Sequence, residues 1–350
     1  MLQLDPAVIK KMISKSQSKK ECCFLWATML FRSILLVSFA IVFIAPLSSI
    51  FGAENNAMAV SMFCILLAIR FVDFGYCIKD SLLNLAIIFL LLLVSPVLGY
   101  YTNPILAFLI HFLSFFIILF MSCDKPEMGN GGLYSFAYIF LSGNAVEGVI
   151  FYKRFLLTCL CFLICASVFY FKHKDKYTEI SFLMKLKKFH IYAHKHQWQI
   201  RMSLGVSLVL TLGVFFHIKR YMWVAFACGS LLSDHSHEPN IKQRFIHRLA
   251  GAVAGSVIFY LLCQFLPASF QSVLGILGGI VLGLCTEYAY KSALNCFGAI
   301  VTAASLYGLN EAVMLRVVNT FAGVVFAFVF FFLYEYLIGK RLKEKYVAEA

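Results

Sequence analysis

Charge is the first thing this sequence lacks. Asp, Glu, Lys and Arg make up 13% of its 350 residues, about half the share found in an ordinary globular protein. A water-soluble surface cannot be built from so few charges. With 61% apolar residues and a mean hydropathy of +0.85, the composition is that of a polytopic membrane protein. Long polar stretches are also missing: none exceeds about 30 residues, which leaves no room for a large soluble catalytic domain. There is no Cys-x-x-Cys pair. Most of the 12 cysteines (Cys64, Cys159, Cys161, Cys165, Cys228, Cys263, Cys285, Cys296) lie inside apolar runs, where they serve as small apolar residues. Cys22 and Cys23 sit at a membrane edge, where acylation is the alternative to packing. The first 23 residues have no apolar core, so no cleavable signal peptide is expected. P-loop, Gly-x-Ser-x-Gly and His-Glu-x-x-His motifs are all absent, so ATP-driven transport and the common hydrolase chemistries lack support. His190, His194 and His196, with the run Asp234-His235-Ser236-His237-Glu238, form no strong zinc motif and read as solvated histidines. Neither a cofactor nor a metal is expected, and no enzyme activity.

What charge there is has one sign and a pattern. The net charge of +13 would suit a nucleic-acid binder if it lined a groove. Instead, five lysines precede the first apolar run (Lys10 to Lys20), eight basic residues fall between Lys172 and Arg201, and Lys340, Arg341, Lys343 and Lys345 close the chain. With both termini inside, the cytoplasmic ends and loops hold 25 of the 30 Lys and Arg, leaving Lys153, Arg154, Lys219, Arg220 and Arg316 outside. This is the positive-inside distribution. It excludes nucleic acid as a partner and places a multi-pass protein in the inner (cytoplasmic) membrane.

Apolar runs occur at 24–51, 57–71, 81–100, 104–121, 132–142 and 149–171, and again at 199–217, 221–232, 249–266, 270–286, 292–308 and 313–338. Between them, 172–198 is polar and amphipathic, with Phe182, Leu183, Leu186, Phe189 and Ile191 among lysines; it predicts a helix lying on the cytoplasmic membrane surface. The two sets match in detail. In each, the first run is long and the second short, a Pro-containing turn joins the third and fourth (101–104 and 266–269), and the sixth begins with a Glu and an Arg (Glu147 and Arg154; Glu311 and Arg316). The expected fold is all-α, with about twelve transmembrane helices in two parallel six-helix repeats. The expected segments are a basic N-terminus (1–23), a first repeat (24–171), a cytoplasmic linker (172–198), a second repeat (199–338) and a cytoplasmic tail (339–350).

Several residues stand out as candidate ligands for an anion. Arg316 and its counterpart Arg154 recur on the face with few positive charges, either snorkelling to headgroups or holding an anion. Asn319 and Thr320 follow Arg316 by three and four residues and share its helix face. Arg244 and Arg248 lie four apart, on a face that Gly251 and Gly255 continue as a small-residue seam. Gly275, Gly279 and Gly283 predict a second seam, Glu287 and Lys291 a helical ion pair, and His111 a packed core residue or a proton-relay member. Tyr221 and Trp223 sit at an outer membrane edge, as aromatic-belt residues or as a platform for an aromatic ligand. The short runs 57–69 and 221–232, at matching places, are the sequence's best pointer to a transport site.

The strings Tyr221-Met-Trp223-Val-Ala-Phe, Arg244-Phe-Ile-His-Arg248-Leu-Ala-Gly251-Ala-Val-Ala-Gly255 and Arg316-Val-Val-Asn319-Thr320-Phe-Ala-Gly323, in that order, resemble the fusaric-acid-resistance-like superfamily. That group includes bacterial exporters of aromatic carboxylic acids and is similar to the plant aluminium-activated malate channels. The resemblance covers 199–338. It implies export of organic carboxylates, aromatic ones among them, with Arg316, Asn319, Thr320, Arg154, Arg248, Arg244, Trp223 and Tyr221 as substrate residues. The partners expected are small organic anions, the lipid bilayer and further copies of the same chain. An anion channel and a non-transporting partner in envelope assembly are the rival readings.

Overall fold

The computed structural model describes residues 6–16, 18–233, 241–267 and 270–339. Ser269, His235, His237 and the basic tail from Lys340 therefore lie outside the described residues. Those described are helical, with no strand among them. In chain order the helices are α1 (Pro6–Lys15), α2 (Lys19–Phe51), α3 (Asn56–Ile69), α4 (Ile78–Tyr101), α5 (Pro104–Ser122), α6 (Asn130–Ser142), α7 (Gly148–His173), α8 (Phe182–Lys187), α9 (His194–Phe215), α10 (Met222–Leu232), α11 (Ile241–Phe265), α12 (Gln271–Leu282), α13 (Tyr288–Tyr307) and α14 (Leu309–Tyr334). Each of the twelve apolar runs coincides with one helix, six before α8 and six after it.

Among the described residues, seven helices are long and apolar enough to cross a membrane: Lys19–Phe51, Ile78–Tyr101, Pro104–Ser122, Gly148–His173, His194–Phe215, Lys242–Phe265 and Leu309–Ile338. The count of seven rather than twelve follows from length and composition. At about 1.5 Å per residue, α3 is about 21 Å long and α10 about 17 Å, both short of a ~30 Å hydrocarbon layer.

The chain forms two compact units, whose boundaries differ from the two sequence halves. The smaller comprises 1–42 and 238–321; the larger comprises 43–237 and 322–350. In the larger unit, α3 packs on α6 and α7, α4 on α5 and α7, and α9 on α5 and α10. Its core is built from Met58, Met62, Ile65, Leu85, Ile88, Leu92, Phe115, Ile118, Tyr138 and Leu157. Apolar residues also cover the outside, as Leu83, Leu90, Ile105 and Leu163 do. Helices apolar on every face are what a lipid solvent requires, because their backbone polar groups are satisfied internally. Turn chemistry follows the sequence at 101–104: Asn103 Oδ1 accepts from Leu106 N at 3.0 Å, and Pro104 occupies the first turn of α5, where no amide is needed.

The linker departs from the expected surface helix. Between the end of α7 at His173 and the start of α9 at His194, only the short α8 is helical. The Asp80 carboxylate accepts from Phe182 N at 2.6 Å, Ile180 O accepts from Cys77 N at 2.7 Å, and Tyr177 has φ 51°. These ties fold the segment into turns against the start of α4, and a continuous helix could not make them.

In the smaller unit, α13 packs against both α11 and α12. The three glycines expected to form one seam divide between two neighbours. Gly279 and Gly283 face Val37 and Ser33 of α2, whereas Gly275 faces Val301 of α13. Ser33 Oγ donates to the Ile280 carbonyl at 2.5 Å, which only a side-chain-free Gly283 permits.

Candidate anion site

The smaller unit gathers three of the sequence's arginines. Gly251 and Gly255 let α11 approach α13 backbone to backbone. A Cβ on Gly251 would lie 2.5 Å from Ala289 O and 2.8 Å from Ser292 Cβ, and one on Gly255 would overlap the Ala293 carbonyl. Arg248 and Arg244 continue that face, three and seven residues before Gly251, and so meet the first turn of α13. Tyr288 stands there. The Arg244 guanidinium lies 4.9 Å above its ring, and Arg248 donates to its hydroxyl. One and two turns on, Ser292 and Cys296 share the Tyr288 face. Arg316 of α14 donates from Nε to Cys296 Sγ at 3.4 Å, while that thiol reaches Ser292 O at 3.4 Å and Ala252 O at 3.6 Å. Three helices therefore converge on Cys296.

Burial makes this arrangement costly. Arg248 is 7% exposed, Arg316 4%, Asn319 4% and Thr320 1%. The two guanidinium groups are near enough to repel each other. Burying one cation costs several kcal/mol unless it is well paired, and a like-charged neighbour adds to that. Arg248 Nε, Ser292 Oγ and Thr320 Oγ1 are buried without a hydrogen-bond partner among the described residues. Paired positive charge, a phenol and spare donors in one place suit a carboxylate, which accepts two parallel N–H bonds from an arginine fork.

Arg154, in the larger unit, has different company. It is 1% exposed and donates from Nε to Asn55 Oδ1 at 2.9 Å, from one terminal nitrogen to Asn144 O at 2.8 Å and from the other to Glu54 O at 2.9 Å. Its acceptors are the entry to α3 and the residue just past α6. Arg154 thereby ties the turn before α3 to the turn that follows α6.

Tyr221 and Trp223 also belong to the larger unit, where the protein covers them. Trp223 is 3% exposed, and the Tyr221 hydroxyl donates to Ser142 O at 2.5 Å. The last glycine of the quoted strings acts here: a Cβ on Gly323 of α14 would overlap Val224 O and lie 2.7 Å from Ala227 Cβ of α10. His111 is packed in the core, its Nδ1 2.9 Å from the Tyr138 hydroxyl.

Sequence reading overlooked several participants. Tyr288, Ser292 and Cys296 recur every four residues on α13, a polar stripe that the apolar run beginning at 292 partly hid. Arg201 was counted with the solvated linker charges, yet it is 6% exposed, with Glu335 Oε1 3.0 Å from one terminal nitrogen and the Phe331 ring 4.6 Å from its guanidinium. The pair expected between Glu287 and Lys291 is not among the ion pairs of the described residues. Glu287 is the N-cap of α13, with φ −79° and ψ 140°; its carbonyl accepts from Lys291 N at 3.1 Å, while its side chain leaves a non-helical backbone.

Comparison with known proteins gives one match. The family described as fusaric acid resistance protein-like matches residues 204–330, a span that includes Arg244, Arg248, Arg316, Asn319, Thr320 and both glycine contacts of α11. No curated protein and no solved structure matches the chain. Seven apolar helices of spanning length, together with this matched segment, make the chain a multi-pass membrane protein.

Proposed function

We propose that the protein exports organic carboxylate anions, aromatic ones among them, across the inner (cytoplasmic) membrane. Arg248 and Arg316 supply the positive charge that holds the carboxylate, Asn319 and Thr320 add neutral donors, and Arg244 braces Tyr288 beside them. Tyr221, Trp223 and Arg154 shape the short helices of the larger unit. One observation carries the reading: the guanidinium groups of Arg248 and Arg316 are both buried beside polar atoms, Arg248 Nε, Ser292 Oγ and Thr320 Oγ1, that have no hydrogen-bond partner among the described residues. A carboxylate would relieve both the buried charge and the missing hydrogen bonds. The match of 204–330 to the family described as fusaric acid resistance protein-like supports the same direction.

The orientation proposed has both termini and the 172–198 linker in the cytoplasm, supported by the 25-to-5 division of basic residues. Two parallel six-helix repeats are supported by the six helices formed by apolar runs on either side of α8, α2–α7 and α9–α14. They are also supported by the matching places of Arg154, seventh in α7, and Arg316, eighth in α14. With no nucleotide motif, the driving force is an ion gradient or the substrate's own gradient.

Flux of benzoate from liposomes containing the purified protein tests the proposal. Saturable efflux is expected, reduced by Arg316→Lys, which keeps the charge but loses the fork, and reduced further by Arg316→Gln or Arg248→Gln. Conductance without saturation would identify a channel instead. Unaltered flux in Arg316→Gln, at wild-type protein levels, would refute the assignment.

A further inference from the structure

A second basic site lies in the larger unit, at the junction of the linker with the helix ends. It is a cleft of about 140 Å³, room for roughly five water volumes. Tyr76, Phe120 and Phe182 form its aromatic side, and Lys185, Lys188 and Lys195 its basic side. The rings meet one another: Phe182 lies 5.4 Å from Tyr76 and 5.9 Å from Phe120, centroid to centroid. Asp124 is the one carboxylate in the lining; it bonds Lys185 at 2.6 Å and Lys195 at 2.8 Å. Among the described residues, the lining sets three lysines against one aspartate, an excess of two positive charges. Lys188 is exposed and forms no ion pair among the described residues.

Position says what kind of anion meets these lysines. Tyr76 comes two residues before α4, Phe120 is in the last turn of α5 and Lys195 is the second residue of α9, all three helices being of spanning length. The cleft therefore sits where apolar spans end, at the level of lipid headgroups. The same linker exposes Leu183, Leu186 and Ile191 beside its lysines, a pairing of apolar and basic side chains that matches an anionic bilayer surface. From the cleft, Phe120 begins a row of half-buried rings along α5. Phe120, Phe116, Phe112 and Phe108 stack at 6.1 to 6.2 Å, each four residues from the next. A chain attached to a headgroup in the cleft would have this apolar row to lie along.

We infer that this cleft binds the headgroup phosphate of an anionic phospholipid, with Lys188 as its principal free cation, Lys185 and Lys195 shared between the lipid and Asp124, and an acyl chain along the α5 phenylalanines. The site is separate from the arginines of α11 and α14 and does not depend on what the protein transports.

Native mass spectrometry of the full-length protein, released from mixed phosphatidylglycerol and phosphatidylcholine micelles, tests this. The wild type is expected to retain one phosphatidylglycerol in preference to phosphatidylcholine. Lys188→Gln should reduce that preference about fivefold, the worth of one lysine at an anionic surface. It should leave thermal stability unchanged, because Lys188 holds no ion pair among the described residues. Lys174→Gln, an equal loss of charge on the same linker but outside the cleft, should leave the preference intact. Three results would overturn the inference: an unaltered preference in Lys188→Gln, an equal fall in Lys174→Gln, or displacement of the lipid by millimolar inorganic phosphate, which would make the ligand a free anion.

Discussion

Arg154 and Arg316 stand at matching places, near the start of the last helix on either side of the linker, and both are buried. Their neighbours differ. Arg154 spends its guanidinium on three neutral oxygens at the ends of α3 and α6. Arg316 meets a thiol, with a second arginine close enough to repel it. Similar helical positions thus give the two arginines different surroundings: three neutral oxygens around Arg154, and a thiol with a nearby guanidinium around Arg316. Under the proposed function the first fastens the fold and the second meets the anion.

The sharpest way to break this comparison is to remove each arginine in turn and measure stability and flux separately. Arg154→Met strands Asn55 Oδ1, Asn144 O and Glu54 O; with each charge-assisted bond worth about 1.5–3 kcal/mol, the folded protein should lose on the order of 5–9 kcal/mol. Thermal unfolding in detergent is expected to show a large fall in midpoint or no folded protein at all. Arg248→Met should do the opposite. Removing one of two repelling buried cations leaves stability unchanged or raises it by about 1 kcal/mol, while benzoate flux falls at least tenfold. If Arg248→Met destabilises as strongly as Arg154→Met, the distinction fails.

A smaller effect is expected from Gly255→Val. Its side chain would meet the Ala293 carbonyl and push α11 from α13, at a cost of about 1–3 kcal/mol. Flux should fall with stability, because Arg248 and Tyr288 are positioned by the same contact. Gly298→Ala on α13, where an added Cβ meets nothing within 4 Å, should change neither.

The smallest effect concerns pH. Burial raises the Asp124 pKa, but hydrogen bonds from Lys185 and Lys195 outweigh it and hold the carboxyl below its ordinary value. A lowered folded pKa stabilises the protein above the unfolded value of about 4, and that stability disappears as pH falls through the folded value. Between pH 7 and 5 this group should contribute no change. Below about pH 4 the wild type should lose up to about 1 kcal/mol relative to Asp124→Asn, since the lysines are partly solvated. Melting curves of the two proteins over that range measure the difference.

Helix positions were legible in the residues because apolar runs in a membrane protein have few alternatives. The short runs at 57–69 and 221–232 emerge as α3, Asn56–Ile69, and α10, Met222–Leu232. The Gly251 and Gly255 contact was legible too, as small residues spaced four apart. What stayed hidden depends on partners distant in sequence. Residues 1–42 form a compact unit with 238–321, and no pattern within either segment announces it. Arg154 looked like Arg316 because two of its acceptors, Glu54 O and Asn55 Oδ1, lie about 100 residues away and carry no signature. The linker looked helical because its apolar spacing allows a helix, but Asp80 and Cys77 bind its backbone as turns.

The claim that Arg248 and Arg316 form an anion site is tested most directly by the thermal shift that benzoate produces in the purified protein. Ligand binding to the folded state raises the unfolding midpoint with concentration. The account predicts that the wild type shifts upward, that a variant carrying both Arg248→Gln and Arg316→Gln remains folded and shows no shift, and that Phe189→Leu, far from the arginines in sequence and on the linker, shifts like wild type. An undiminished benzoate shift in the folded double variant would contradict it.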